Sequence, residues 1–256
     1  MDAQHSHGLL GPGDPSPIEV LNPESRAEVL LVCEHAGRAV PHALKGLGVS
    51  DAILGSHRGW DIGAASVARR LAAQLGAPLV LQRYSRLVVD ANRPPGSPTS
   101  IPEFSHGVEI PANRNLTTAQ ETARVTEILE PMDAAIDAAF SKHPRRAAFS
   151  VHSYTPVLER VSRPWHAGLL TRRSTETAEH LIASLRRQDP NVVVALNEPY
   201  RIEDDGDWFV PHHLEPRGLP HSLIEIRNDE IADEAGAARW AQLLATAISD
   251  VMEALT

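Results

Sequence analysis

The apolar positions of this chain fall into two kinds of run. The runs Val29-Leu30-Leu31-Val32-Cys33, Ala147-Ala148-Phe149-Ser150-Val151, Asn191 to Leu196 and His221-Ser222-Leu223-Ile224 are short and mostly continuous. Without polar alternation they predict strands covered on both faces. Ala77 to Leu81 and Ala167 to Leu170 predict two more strands, and the apolar centre of 84–90 a further short one. Elsewhere apolar residues recur every three or four positions, which is helical spacing. Ala65, Val67, Ala68, Leu71, Ala72 and Leu75 form one such series, stopped by Gly76. Val125, Ile128, Leu129, Met132, Ile136, Ala139 and Phe140 form another, from about Thr117 to Ser141, in which Pro131 predicts a kink. Two more helices are predicted from Ser174 or Thr175 to Arg187 and from Asp233 to Leu255. Strands and helices alternate with no Pro/Gly-rich linker between two cores. This predicts one domain over residues 18–256, a three-layer α/β/α sandwich around a mixed, mostly parallel central sheet.

The remaining segments lack periodicity. Residues 1–17, rich in Gly, Pro, Ser and His and including His5 and His7, predict a flexible or loosely docked leader. Residues 94–116 predict a long loop over the sheet edge, of a length common in lids and binding loops. Residues 201–220 carry Glu203, Asp204, Asp205 and Asp207 and predict a solvated acidic loop.

Composition narrows the function. A net charge of −9 over 256 residues argues against a nucleic-acid groove, which needs clustered Lys and Arg. No run approaches the roughly 20 apolar residues of a membrane span. The N-terminus lacks a basic region followed by an apolar core, so the expected location is cytoplasmic. The single cysteine, Cys33, lies inside an apolar run and reads as a small buried hydrophobe rather than a nucleophile.

Chemistry concentrates where strands stop. Glu34 and His35 follow the first apolar run, His152-Ser153-Tyr154 follow the 147–151 run, and Glu225-Ile226-Arg227 end the last strand. Carboxyl ends of strands are where open α/β sheets place their ligands. His35 and His152 can supply nitrogens to a metal ion, and Asp61 or Glu34 an oxygen; zinc suits that donor set. Asp61 also stands just before the 64–75 series, where a carboxylate is equally at home as a helix N-cap. Glu225 has Ile224 and Ile226 on the opposite face, so its carboxyl is expected to be partly desolvated and fit for a general base; pairing with Arg227 is the plainer alternative. Asp90, Asn92 and Arg93 leave one strand end together ahead of Pro94 and Pro95, and an Asn-Arg pair there can clamp the carboxylate of a small anionic substrate. There is neither a His-Glu-x-x-His helix nor a paired cysteine.

The segments Cys33 to Gly37, His57 to Ala64, Ser85 to Pro94, Asn197 to Tyr200 and His213 to Ile231 together resemble the N-formylglutamate amidohydrolase family. That family is similar in fold to zinc carboxypeptidases and aspartoacylases, a phosphorylase/hydrolase-like sandwich. The resemblance implies hydrolysis of the N-acyl amide of an acidic amino acid, N-formyl-L-glutamate first, as in histidine breakdown, with Zn2+ as cofactor. It implies a metal held by His35, His152 and Asp61 (Glu34 as the alternative ligand), and Glu225 as base. Arg86 would stabilise an oxyanion and His213 would assist. Asn92, Arg93, Asp90, Tyr154 and Arg227 would face the substrate. Two features depart from the pattern. The His-x-x-Glu pair of carboxypeptidases is absent after His35, and Glu34-His35-Ala36-Gly37 stands where characterised formylglutamate hydrolases carry Pro-His-Ser-Gly. Two rivals stand beside it: a hydrolase of another N-acyl amino acid or a small peptide, with another divalent metal in place of zinc as a further alternative, and a metal-free binding protein that holds a carboxylate through Arg86 and Arg93.

Overall fold

A computed structural model of the protein describes residues 8–255; His5 and His7 lie outside them. The strands in chain order are β1 (Ile18–Leu21), β2 (Val29–Cys33), β3 (Leu79–Gln82), β4 (Phe104–Ser105), β5 (Val108–Glu109), β6 (Ala147–Tyr154), β7 (Val157–Leu158), β8 (Val161–Ser162), β9 (Ala167–Leu170), β10 (Val194–Leu196) and β11 (His221–Arg227). The α-helices are α1 (Asp51–Leu54), α2 (Ala64–Leu75), α3 (Thr118–Arg124), α4 (Glu130–Lys142), α5 (Thr175–Gln188) and α6 (Glu234–Ala254).

A seven-stranded sheet runs in the order β1-β3-β2-β6-β11-β9-β10. Its centre, β3, β2, β6 and β11, is parallel; β1 joins antiparallel on one side, and β9, antiparallel to β11, carries β10 parallel on the other. The pleat sends alternate residues to opposite faces. Val29, Leu31 and Cys33 of β2 pack on the α2 side, in one buried cluster with residues of α2, α5 and α6, while Leu30 and Val32 share a cluster with Met132 and Ile136 of α4. Burial of a side chain such as Leu31 contributes about 1.5–3 kcal/mol, so a strand apolar on both faces is stable only between two helical layers. This is the predicted α/β sandwich, with Cys33 free and fully buried. Among the described residues no helix is long and apolar enough to cross a membrane.

Four local readings change. Residues 84–90 do not form a strand: after a single bridge between Ala39 and Tyr84 the chain turns. The Ser85 hydroxyl donates to Gly59 O and accepts from Leu87 N–H, so a local side-chain bond replaces the ladder. Leu87, Val88 and Val89 are nevertheless buried, in a separate cluster with Leu47, Ile110 and Ile128. The 117–141 helix is interrupted: α3 passes into a π-helical turn, Val125–Leu129, before α4. Pro131 lacks an N–H and its ring clashes with the carbonyl four residues back, and the wider turn accommodates both. Of Asn191 to Leu196 only Val194–Leu196 pairs, at the sheet edge. Finally, β1 is an edge strand of four half-buried residues, too short for periodicity to reveal.

The segments without periodicity are held by polar contacts. Leu9 and Leu10 donate their N–H groups to the Glu127 carboxylate, and the Tyr84 hydroxyl donates to Pro15 O. Within 94–116 lie the β4–β5 hairpin and a 3-10 turn, Pro111–Asn113; the Asn113 amide donates to Leu87 O and Pro102 O and accepts from Arg124. Within 201–220 a π-helical turn, Phe209–Leu214, leads into a 3-10 turn, Glu215–Arg217.

Candidate active site

Because β2, β6 and β11 are parallel neighbours, their carboxyl ends share one edge of the sheet. His35 follows β2, His152 lies near the end of β6, and Glu225 pairs with His152 across the β11–β6 ladder. Asp61 arrives from the chain between β2 and α2. Its N–H donates to His35 O, and its Oδ2 accepts from Ser153 N–H at 3.1 Å. The N-cap of α2 is Gly63 rather than Asp61, and it caps without a side chain. Gly63 has φ +84°, and a Cβ there would stand 2.3 Å from Ile231 O, so only glycine fits the turn that presents Asp61.

Three donor atoms converge at this edge. His35 Nδ1 lies 3.1 Å from His152 Nδ1 and 3.5 Å from Asp61 Oδ2, and His152 Nδ1 lies 2.9 Å from the same Oδ2. A tetrahedral ion with bonds of about 2.0–2.1 Å holds its ligand atoms about 3.3–3.4 Å apart. The triangle and its donor types therefore fit a zinc-like ion. Behind each imidazole stands a carboxylate: His35 Nε2 bonds Asp90 Oδ1 at 2.6 Å, and His152 Nε2 faces Glu34 Oε2 at 3.0 Å. Outer carboxylates of this kind fix the tautomer and orientation of metal-ligating histidines. The Arg86 Nη2 touches both Asp61 Oδ1 and His35 Nδ1, two of the three corners.

The electrostatics follow from burial and pairing. Burial opposes ionisation of Asp61, yet Arg86 and the two histidines hold its carboxyl well below the ordinary range. Burial also opposes a charge on His152, but Glu34 and Asp61 together hold the imidazole well above its usual value. For Asp90 and Glu34, burial is likewise outweighed, by His35 and His152 respectively, and both carboxyls stay low. Glu225 behaves differently. Only 7% exposed and with Oε2 lacking a hydrogen bond, it is pushed up to about 8 by burial.

These groups open into a cleft of about 480 Å³, lined among others by His35, His57, Arg86, Arg93, His152 and Glu225. The arginines Arg86, Arg93 and Arg201 line the cleft; Arg93 makes only a 4.0 Å ion pair with Asp90 and so keeps hydrogens to offer, as does the exposed Arg201. Other expected substrate contacts are engaged elsewhere. The Asn92 amide oxygen accepts from Trp208 N–H and Phe209 N–H, and its Nδ2 donates to Asp207, so it fastens the acidic segment. Asp90 is spent on His35. Tyr154 donates its hydroxyl to Trp165 O, and Arg227 binds Asp229, Glu230 and the carbonyls of Arg163 and Pro164; neither lines the cleft. His213 is also outside it, bonded to Asp133 of α4. Glu34, the alternative ligand, faces the far nitrogen of His152 and accepts from Ser150 Oγ.

Sequence reasoning assigned no role to His57. Its Nδ1 is buried without a hydrogen bond and lies 3.6 Å from Asp61 Oδ1, and burial lowers the imidazole to about 4, so the ring is neutral. The four-residue spacing from His57 to Asp61 was the available signal.

Fold and cleft together define an α/β/α hydrolase. The sequence profile of the N-formylglutamate amidohydrolase family matches residues 27–232, and the chain belongs to that family. It is accordingly an amidohydrolase, a hydrolase of amide bonds. Among solved structures, gene product Atu2144 from Agrobacterium tumefaciens is 33% identical with a TM-score of 0.91, over 96% of this chain and 99% of that one. A bacteriophage poly-gamma-glutamate hydrolase (13% identity, TM-score 0.48, over 93% and 90%) and a metallo-carboxypeptidase from Burkholderia cenocepacia (11%, 0.47, over 98% and 65%) are more distant likenesses. No curated protein sequence matches the chain.

Proposed function

We propose that the protein is a metal-dependent hydrolase of the N-acyl amide of an acidic amino acid, with N-formyl-L-glutamate, cleaved to L-glutamate and formate, as its leading substrate. The observation that carries this reading is the His35–His152–Asp61 triangle with Glu225 on the adjacent strand of the same cleft. His35 Nδ1, His152 Nδ1 and one Asp61 oxygen would hold the ion, zinc being the best match to two imidazoles and a carboxylate. When bound, such an ion supplies Lewis acidity, polarising the amide carbonyl and acidifying water.

The protein's own groups do the rest. Glu225 takes a proton from the attacking water and delivers it to the amide nitrogen as the C–N bond breaks; its raised pKa suits both halves of that exchange. Arg86 donates N–H to the negative oxygen that develops on the former carbonyl. Arg93 binds a carboxylate of the small anionic substrate, and the cleft leaves it free to do so. Asp90 and Glu34 hold the two imidazoles in place, and His57 buttresses Asp61 as a neutral ring.

The test is a substrate panel: N-formyl-L-glutamate, N-acetyl-L-glutamate, N-formyl-L-leucine and an N-formyl amine without a carboxylate, each with chelated and zinc-restored protein. Zinc-dependent release of amine, fastest from N-formyl-L-glutamate, supports the reading. Turnover unaffected by chelation, or no preference for an acidic amino acid, removes the metal or the substrate assignment respectively.

A further inference from the structure

A second group of ligating side chains stands apart from the catalytic cleft. His212 and His213 lie on the π-helical turn Phe209–Leu214, and Asp133 lies on α4 beneath it. One ligand atom from each of the three falls within 4.8 Å of the others. The two imidazoles meet edge to face, with ring centroids 4.7 Å apart at 85°. Asp133 is held for the purpose: Trp208 Nε1 donates to both of its oxygens, at 3.1 and 3.2 Å, and His213 Nε2 approaches Oδ1 at 2.8 Å.

Three features resemble a metal centre more than a simple histidine–aspartate pair. His213 is only 1% exposed, and its Nδ1 faces Asp137 Oδ1 at 3.3 Å without a hydrogen bond, the carboxylate-behind-imidazole arrangement already seen at His35 and His152. Asp137 is itself fixed by Arg217. His212 is exposed and stacked on the Trp208 indole, centroids 3.8 Å apart, which orients its ring and leaves a path from solvent. Among the described residues Asp133 has no Lys or Arg ion-pair partner; its oxygens meet His213 and the Trp208 indole N–H.

We propose that Asp133, His212 and His213 bind a divalent transition-metal ion, separate from the catalytic triangle, that fastens the 207–213 segment onto α4. Two imidazoles and one carboxylate suit zinc, cobalt or nickel far better than magnesium or calcium. The segment so fastened matters to the cleft. Trp208 and Phe209 donate their N–H groups to Asn92, which in turn holds Asp207 on the cleft wall. The alternative is a His213 hydrogen-bonded to Asp133 alone, with no affinity for metal.

The experiment is equilibrium dialysis of chelator-stripped protein against micromolar free zinc, with metal counted by elemental analysis, on the native protein, His152→Ala, His212→Ala, and Asp133→Asn. The expected result is two zinc per chain in the native protein and one in each variant. His212 is exposed, so its replacement leaves the fold intact, and Asp133→Asn gives an isosteric check. Cobalt provides a local readout, since an ion on His212 quenches the stacked Trp208; quenching is expected in the native protein and in His152→Ala, and lost in His212→Ala. A native count equal to that of His212→Ala, or cobalt quenching unchanged in that variant, overturns the second site. A native count unchanged only in His152→Ala would instead overturn the catalytic ligand set and leave the second site standing.

Discussion

Glu225 stands opposite His152 in the register of two parallel strands, β11 and β6. The ladder thus sets a desolvated carboxyl beside an imidazole that forms one corner of the His35–His152–Asp61 triangle. The backbone ladder fixes the points from which the two side chains depart, so the carboxyl and the imidazole start from neighbouring positions on one face of the sheet. Glu225→Gln keeps the shape and removes the proton acceptor. Its kcat is expected to fall by about 10²–10⁴-fold with metal content unchanged; steady-state kinetics beside elemental analysis decide the matter, and full turnover in the variant would remove Glu225 as base.

The carboxylates behind the histidines make a separate prediction. Asp90→Asn should weaken zinc binding by about 10–100-fold, and Glu34→Gln by a comparable factor, although neither side chain is a ligand. Competition titrations against a chromophoric chelator measure this directly. Unchanged affinity in both would mean that the imidazoles are positioned by packing alone.

Arg93 is a lightly engaged cation of the cleft wall, held only by a 4.0 Å ion pair with Asp90. A hydrogen-bonded ion pair with a substrate carboxylate contributes about 1.5–3 kcal/mol, so Arg93→Ala is expected to raise KM by about 10–150-fold for an acidic substrate. Arg93→Lys should recover only part of this, because an ammonium cannot match the two-pronged guanidinium contact. Equal losses on substrates with and without a carboxylate would refute a role in recognition.

Part of the stability near neutral pH should come from Glu215 and be lost on acidification. Arg172 donates Nε–H and Nη2–H to its two oxygens, both at 2.7 Å, and this pairing, more than burial opposes it, holds the carboxyl below its ordinary 4.5. A carboxyl depressed in the folded state stabilises above its unfolded pKa and loses that contribution as pH falls through the folded value. The gap in urea midpoint between the native protein and Glu215→Gln is therefore expected to be widest near neutrality and to close below about pH 4.5. A gap constant across that range would assign the effect to packing.

How much of this was legible beforehand depends on what each feature rests on. The strands β2, β6 and β11 were readable because double-sided burial demands unbroken apolar runs, and the abrupt change to Glu34-His35, His152 and Glu225 marked the strand ends. The helices α2, α5 and α6 were readable from the spacing of the residues they bury. Asp61 was visible only as one of two choices, N-cap or ligand, because its role depends on the αL turn at Gly63 and on β6 arriving beside it.

What sequence could not carry were the pairings between distant segments. Tyr84 to Asp90 looks like a strand by composition, but a hydroxyl four residues before Val89 captures the backbone first. Asn92 and Arg93 look like one clamp, yet the Asn92 amide is taken by Trp208 and Phe209, more than a hundred positions along, while Arg93 keeps only a 4.0 Å ion pair with Asp90. His213 was expected to assist in the cleft, and its imidazole meets Asp133 of α4, eighty positions away in the chain. The sequence by itself determined the layered fold and the residue types at its active edge, because both follow from local burial periodicity. Only the tertiary structure decided which nitrogen meets which oxygen, because those contacts are set by strand order and by turns whose partners lie far apart in the chain.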